Sequence, residues 1–291
     1  MELLRALGAL CEPPAPGHAR LAAELGLPAA PDAAAFTGVL VLQLPPYASP
    51  YAGAEGMLGG AARARIAGFW RAVGLVPPAE PDHLAALLGL YAALADDEHA
   101  QDDQARAALR RQARAALLHE HLLSWLDPWL ARVADVGGPA YGAWAELLTA
   151  VLRREAADLL AGDEPLPVHL RAAPAVAAPA DTGGAAFLDA LLAPARSGLL
   201  LVRDDLARAA GELGLGQRIA ERRYVLRHLL AQDAPATLAW LEREARAAAR
   251  RPAGAAPAAV RRHWRDRATA TATVLAEAGA LAHTEETTHA G

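Results

Sequence analysis

The 291-residue chain contains no lysine, so all 28 of its basic residues are arginine. The absence of lysine excludes a P-loop phosphate lysine, a Schiff-base lysine and a serine–lysine dyad. The single cysteine, Cys11, excludes an internal disulfide and a cysteine-rich zinc site. Aromatic residues make up only 5% of the chain although hydrophobic residues make up 54%. The excess is Ala and Leu, which are strong helix formers.

Long apolar runs are also missing. No uninterrupted run approaches membrane-spanning length, and no charged-then-apolar secretory leader opens the chain. We therefore expect a soluble, cytoplasmic protein without membrane insertion. The net charge of −5 is uneven, because residues 1–105 carry 12 acidic residues and 5 arginines, and the remainder carries 21 and 23. An acidic first third favours a basic partner and argues against nucleic acid in that part.

The histidines and serines offer little catalytic chemistry. No two of the ten histidines are three or four residues apart, and His119 and His121 would point about 200° apart on a helix. The nucleophile-elbow pattern G-x-S-x-G is absent. We expect no metal site, no cofactor and no enzymatic activity, with a helical hydrolase of unrecognised type as a weaker alternative.

Apolar residues recur at helical spacing along most of the chain, which predicts an all-α helical bundle. The segment Val39–Leu42 could be a strand locally, but helix is favoured because helical segments surround it. Residues 161–184 are rich in Ala, Pro and Gly and are predicted to be a surface linker. We expect a domain at 1–160, the linker at 161–184, a C-terminal helical extension at 185–283 and a polar tail at 284–291. In the extension, the predicted helices span Phe187–Leu200, Arg203–Leu213, Gln217–Ala231, Pro235–Arg251 and Pro257–Ala282, and the first of them is expected to break at Pro194.

The segment from Pro45 to His83 is the most distinctive part of the sequence. Prolines at 45, 46 and 50 and glycines at 53, 56, 59 and 60 predict an irregular loop that carries two tyrosines. An amphipathic helix is expected at about 61–73. Glu80-Pro81-Asp82-His83 is typical of a helix start, with Pro81 in the first turn and the carboxylates near the positive end of the dipole. The polar run 96–104 is predicted to be a turn.

These motifs occur in a recognisable order. PPY-x-S-x-Y at residues 45–51 is followed by E-G-x-L-x-G at 55–60, a helix that ends in Phe69-Trp70, and E-P-D-H-L at 80–84. A later run at 121–129 reads HLLSWLDPW. Together they resemble the TorD/DmsD/NarJ family of cytoplasmic chaperones, which mature molybdenum-containing redox enzymes. The resemblance fades after about residue 160.

The resemblance implies a peptide-binding site. A twin-arginine signal peptide offers two guanidinium groups and then an apolar helix-forming segment, so its receptor needs carboxylates and an aromatic groove. The expected groove residues are Tyr47, Tyr51, Met57 and Trp70, and the expected carboxylates are Glu55, Glu80 and Asp82. Relatives often carry Trp where this chain has the two tyrosines. The complete expected site is Pro45, Tyr47, Tyr51, Glu55, Met57, Gly60, Trp70, Glu80, Pro81, Asp82, His83, His121 and Trp125.

The implied partners are the signal or leader peptide and the apo form of a molybdopterin oxidoreductase subunit, bound by a monomer or weak dimer. From spacing alone, an ordinary helix N-terminus is the favoured interpretation of Asp82 and His83, and the family resemblance is what points to the groove. The groove is expected within the domain at 1–160, apart from Arg222 and Arg223. A second functional class stays open, because residues 205–223 resemble a helix-turn-helix with Arg218, Arg222, Arg223 and Arg227 on its second helix. That alternative is a two-domain regulator that binds DNA.

Overall fold

The computed structural model describes residues 1–216, 220–252 and 254–289, with side chains as far as Thr284. Every regular element in these ranges is a helix, and the one β pairing there is an isolated antiparallel bridge between Tyr47 and His83. The all-α prediction is confirmed. None of the described helices is both long and apolar enough to cross a membrane.

The helices follow one another with short connections. The first nine are α1 (Glu2–Ala9), α2 (His18–Glu24), α3 (Ala33–Phe36) with a π-helical turn at Thr37–Val41, α4 (Ser49–Ala52), α5 (Gly60–Ala72), α6 (Leu84–Ala100), α7 (Gln104–Ala116) with a π-helical turn at Leu117–Leu122, α8 (Leu123–Val136) and α9 (Gly138–Leu159). The remainder are α10 (Val168–Ala172), α11 (Pro179–Thr182), α12 (Gly184–Leu191), α13 (Pro194–Ser197), α14 (Arg203–Leu213), α15 (Arg222–Gln232), α16 (Ala234–Ala249) and α17 (Ala258–His289).

Several predicted boundaries are wrong. Helix α6 begins at Leu84 with His83 as its N-cap, so Pro81 lies before the helix rather than in its first turn. The same helix continues through residues 96–100, where a turn was predicted. The helix predicted to break at Pro194 is divided there into α12 and α13, but it does not reach Leu200, because the chain from Leu199 to Val202 is buried without helical structure. The predicted polar tail is helical as far as His289, and the predicted start at Gln217 lies outside the described residues.

The larger core lies between α1, α6, α8 and α9. Three buried tryptophans pack together in this core. The ring of Trp129 makes edge-to-face contacts with both Trp125 and Trp144. The indole N–H of Trp144 donates to the Leu7 carbonyl at 3.0 Å, and the Tyr141 hydroxyl donates to the Leu10 carbonyl at 3.2 Å. These two bonds attach α9 to α1 without leaving either buried donor unpaired.

Helix α17 belongs to two cores. Val260 and Trp264 in its first half are buried in the larger core, whereas Leu275 in its second half is buried in a smaller core with α12, α14, α15 and α16. The predicted linker is also engaged, because Leu170 and Ala173 are buried in the larger core. The proposed division at 161–184 therefore stays a prediction, and in this structure the extension packs along the predicted first domain.

Helix α8 contains Pro128, and the hydrogen bond that this proline removes from the helix is replaced by a tertiary contact. Pro128 has no N–H, so the carbonyl of Ser124, four residues earlier, has no helical partner. The indole N–H of Trp264 in α17 donates to this carbonyl at 3.0 Å. The helix therefore continues past the proline to Val136.

Candidate functional site

Two irregular segments cross at the centre of the candidate site. The proline loop, residues 45–60, runs antiparallel to the segment that precedes α6. The amide of Leu84 donates to the Pro46 carbonyl at 2.7 Å, and the amide of Ala48 donates to the Asp82 carbonyl at 2.9 Å. Because prolines remove amide donors from the loop, these few bonds fix how it lies on α6.

Asp82 lies inside this crossing. Its Oδ2 accepts a hydrogen bond from the amide of Ser49 at 3.2 Å, in the first turn of α4, and the Ser49 hydroxyl in turn accepts from the amide of Gly59 at 2.9 Å. The Asp82 side chain is only 2% exposed, and its Oδ1 lies 3.9 Å from Nε of Arg63. The carboxylate therefore holds Ser49, whose hydroxyl reaches the other end of the proline loop, and it already has a guanidinium neighbour.

His83 caps α6 in the neutral form. Its Nδ1 accepts a hydrogen bond from the amide of Ala85 at 3.2 Å, which requires that this nitrogen carry no proton. Burial lowers the pKa of His83, opposed by Glu12, whose Oε1 lies 3.4 Å from the same nitrogen. The helix-start interpretation of the Asp-His pair therefore applies to His83, whereas Asp82 serves the different helix α4.

Tyr47 and Glu80 form the exposed edge of the crossing. The Tyr47 hydroxyl donates to Glu80 Oε2 at 2.8 Å, and the Tyr47 ring packs edge-on against His83. Burial and the Glu80 bond raise the pKa of Tyr47 to about 12. Nearby, the indole N–H of half-buried Trp70 donates to the Pro81 carbonyl at 3.2 Å. Glu80 is exposed, so its second carboxylate oxygen is available to a cation.

Three of the expected site residues form the floor beneath the loop instead of an open wall. Tyr51 stacks on Trp125 with ring centroids 5.4 Å apart, and both side chains are buried. His121 is also buried, against Phe69. Burial, with a smaller contribution from Arg65, lowers the pKa of His121 to about 4, so it is neutral at pH 7.

A cavity of about 260 Å³, which we call the loop pocket, opens beside this floor. The proline loop lines it through Pro45, Tyr51 and Met57, among others, and Leu58 also contributes. Met57 is 67% exposed and Leu58 58% exposed, so two large apolar side chains lie in solvent at its rim. Such exposure in a well-packed protein is typical of a surface that binds an apolar partner.

The extension supplies the other side of the loop pocket, through Pro194, Leu201 and Arg222. The extension therefore lies against the proline loop, next to the residues expected to form the groove. Arg222 Nη1 donates to the Leu201 carbonyl at 2.7 Å, and burial lowers the pKa of Arg222. No carboxylate of the described residues forms an ion pair with it. Nothing in the sequence distinguished this arginine from its neighbours.

The remaining expected residues lie nearby on the surface. Glu55 and Gly60 are exposed on the proline loop, and neither lines the loop pocket. The structure thus brings Pro45, Tyr51 and Met57 together around the pocket. It places Tyr47, Trp70, Glu80, Pro81, Asp82 and His83 at the crossing beside it.

The arginines of the helix-turn-helix alternative are largely engaged within the protein. Arg223 forms an ion pair with Asp189, and Arg227 lies over the ring of Tyr224. Arg222 lies in the loop pocket, and Arg218 is outside the described residues. The described arginines therefore do not form a free basic face of the kind that contacts DNA phosphates.

Comparison with known proteins adds one finding. Residues 33–131 match the family model described as nitrate reductase delta subunit, a family of redox-enzyme maturation chaperones. The searches of curated proteins and of solved structures gave no significant match. The matched segment includes the proline loop, α5, the crossing and most of α8, so the family resemblance predicted from the sequence is confirmed there. The match does not extend to α9 or to the extension.

Proposed function

We propose that this protein is a cytoplasmic chaperone that binds the twin-arginine signal or leader peptide of a molybdopterin oxidoreductase subunit. It holds the apo subunit while the cofactor is inserted, and it is not itself an enzyme. The observation that carries this proposal is the loop pocket, with exposed Met57 and Leu58 at its rim and the exposed carboxylate of Glu80 at the neighbouring crossing. The family match over residues 33–131 supports the chaperone role.

The charges around the pocket suggest how a peptide would lie. The peptide's arginines precede an apolar segment that can form a helix. Exposed Glu80 and Glu55 suit the arginines, since a carboxylate and a guanidinium form paired, charge-assisted hydrogen bonds. The carbonyl end of a helical apolar segment carries partial negative charge, which suits Arg222 in the loop pocket. The peptide therefore enters with its arginines toward Glu80 and its apolar helix toward Arg222.

Asp82, Tyr51 and Trp125 have supporting roles in this proposal. The side chains of Asp82 and Trp125 are buried and do not line the loop pocket, so a peptide does not reach them in this conformation, whereas Tyr51 contributes to the pocket wall. Asp82 holds the loop that carries Met57, and Tyr51 and Trp125 form the floor on which that loop rests.

The test is a binding titration with a fluorescent peptide that has two arginines followed by an apolar helix-forming segment. A second peptide has both arginines changed to glutamine, and a third has polar residues in place of the apolar segment. We expect the first peptide to bind tightest, and its advantage over the glutamine peptide to shrink as salt is raised.

Glu80→Gln keeps the size of the side chain but removes its charge. The substitution should weaken binding of the arginine peptide by about 1 kcal/mol at low salt. It should leave the affinity for the glutamine peptide unchanged. Equal binding of all three peptides would contradict specific recognition. Binding that depends on the apolar segment but not on the arginines would restrict the function to leader peptides without the twin-arginine motif.

A further inference from the structure

A second, larger cavity lies where the extension meets α8. Its volume is about 530 Å³, and it is enclosed by α8, the segment Gly198–Leu201, the end of α16 and the start of α17. Ligand pockets of ordinary small molecules have volumes of about 300–1,000 Å³. We call this the joint cavity, because it lies beside the connection between α16 and α17.

Arginines dominate the charged lining of the joint cavity. Arg132, Arg250, Arg251, Arg261 and Arg265 all contribute to its wall, against three acidic residues. The cavity is thus positively charged within a chain whose net charge is −5. A positive cavity with low-dielectric walls concentrates anions from solution.

The three acidic residues are already occupied by the protein. Asp127 accepts hydrogen bonds from the amides of Ala255 and Ala256, at 2.7 and 2.9 Å. Asp205 accepts from Arg132, and also from the amide of Val202. Glu244 pairs with Arg208, which does not line the cavity. These carboxylates bind backbone amides, Arg132 and Arg208, and none of them forms an ion pair with Arg250, Arg251 or Arg265.

Two of the arginines have no acidic partner among the described residues. Arg250 and Arg265 are exposed and form no ion pair there, and Arg251 contacts only the half-exposed Asp135. Arg132 pairs with two aspartates, but its Nε is buried without a hydrogen-bond partner. The cavity therefore presents several guanidinium groups that can donate hydrogen bonds to an added anion.

We propose that the joint cavity binds a small organic phosphate. Guanidinium groups match phosphate oxygens with paired hydrogen bonds, and phosphate or pyrophosphate carries enough charge to engage Arg250, Arg251 and Arg265 together. Leu199 and Leu200 in the same wall provide an apolar surface for the remainder of the ligand. An acidic peptide is the alternative occupant, and its binding in place of pyrophosphate would overturn the proposal.

The joint cavity and the loop pocket have no charged lining residue in common. Arg222 lines the loop pocket and not the joint cavity, whereas Arg250 and Arg265 line the joint cavity and not the loop pocket. Leu200 and Leu201 line both. Substitutions of these arginines can therefore distinguish anion binding from peptide binding.

The test uses inorganic pyrophosphate and phosphate as probes in isothermal titration and thermal unfolding of the full chain, at constant ionic strength. We expect pyrophosphate to bind and to raise the melting temperature, and phosphate to do so more weakly. The double variant Arg250→Gln/Arg265→Gln should weaken pyrophosphate binding by about tenfold or more. Both side chains are exposed, so the double variant should fold, and a circular dichroism spectrum like that of the parent protein is the check.

Arg262→Gln is the matched control, because Arg262 is exposed on α17 beside these residues and does not line the cavity. It should leave pyrophosphate affinity unchanged, as should Arg222→Gln. Equal losses in Arg262→Gln and in the double variant would mean nonspecific attraction and would overturn the proposal. So would the absence of pyrophosphate binding, or binding of an acidic peptide in its place.

Discussion

The indole N–H of Trp264 donates to the carbonyl of Ser124, which is the carbonyl that Pro128 leaves without a helical partner. This bond joins α8 of the family-matched segment to α17 of the extension. A buried carbonyl without a partner is costly, so the tryptophan supports a proline that would otherwise weaken α8.

This relationship predicts non-additive stability effects. Trp264→Phe keeps most of the ring but removes the donor, and we expect it to lower the free energy of unfolding by about 2 kcal/mol. In a Pro128→Ala background, the new alanine amide can bond to Ser124, so Trp264→Phe should cost about 1 kcal/mol less. Urea unfolding of the four proteins measures the difference. Strictly additive losses would mean that the indole bond does not compensate for the proline.

The docking of the proline loop on the extension predicts a second effect. Gly56 has φ +65°, and an added Cβ would lie 2.7 Å from Cα of Ala193. Gly56→Ala should lower the free energy of unfolding by about 3 kcal/mol, through backbone strain and the clash. Gly26 has a similar φ of +69° with no atom nearby, so Gly26→Ala should cost only about 1 kcal/mol. Similar losses in both would show that the loop is not held against Ala193.

Asp82 and Glu80 should separate stability from recognition. Asp82→Asn affects a buried carboxylate that orders the proline loop, so it should destabilise the protein by about 1–2 kcal/mol and weaken peptide binding equally at low and high salt. Glu80→Gln should leave the melting temperature unchanged, and it should weaken binding of the arginine peptide mainly at low salt. A strongly salt-dependent loss for Asp82→Asn, without destabilisation, would instead assign the peptide guanidinium to Asp82.

Adjacent arginines on α15 should behave differently. Arg222 lines the loop pocket, whereas Arg223 pairs with Asp189 on the surface. We expect Arg222→Gln to weaken binding of the peptide that carries the apolar segment by about 1 kcal/mol, because the substitution removes a charged donor that faces the peptide carbonyls. Arg223→Gln should leave this binding unchanged. If both variants bind the peptide as tightly as the parent protein, the extension does not contribute to the groove, and the groove lies within residues 1–160.

Buried histidines should make the protein less stable in mild acid. Burial, with smaller contributions from Arg65 and neighbouring histidines, lowers the pKa of His169 from 6.5 to about 3. Between these values the unfolded chain binds a proton that the folded protein does not. Stability is therefore complete above about pH 6.5 and falls as the pH decreases toward 3.

On acidification from about pH 6.5 to pH 4.5, the His169→Leu variant should lose about 2 kcal/mol less stability than the parent protein. His121 and His263 contribute in the same direction, since burial lowers the pKa of each to about 4. Chemical denaturation across this pH range provides the measurement, with His18→Leu as a control for removing a different imidazole. An unchanged pH dependence in His169→Leu would show that His169 is accessible to protons in the folded state.

Local patterns in the sequence were sufficient for the fold class and for most helices. The Arg203–Leu213 helix was predicted with its observed bounds, because Gly214 ends it and its apolar spacing is regular. The start of α6 was misplaced by a few residues. Pro81 and Asp82 satisfy the rules for a first turn, but Asp82 pairs with the proline loop, which is distant in sequence, and the Pro81 carbonyl accepts from Trp70 of α5.

The sequence by itself determined that the chain is helical, that it lacks lysine chemistry, and that the motifs of the proline loop, α5 and the crossing occur in a recognisable order. Only the tertiary structure decided what those residues do. Packing buried Asp82 and Trp125 away from the loop pocket, and it placed Arg222 in the wall of that pocket. Burial and long-range contacts depend on how helices meet, and the spacing of residues within one helix does not encode which distant helix will cover it.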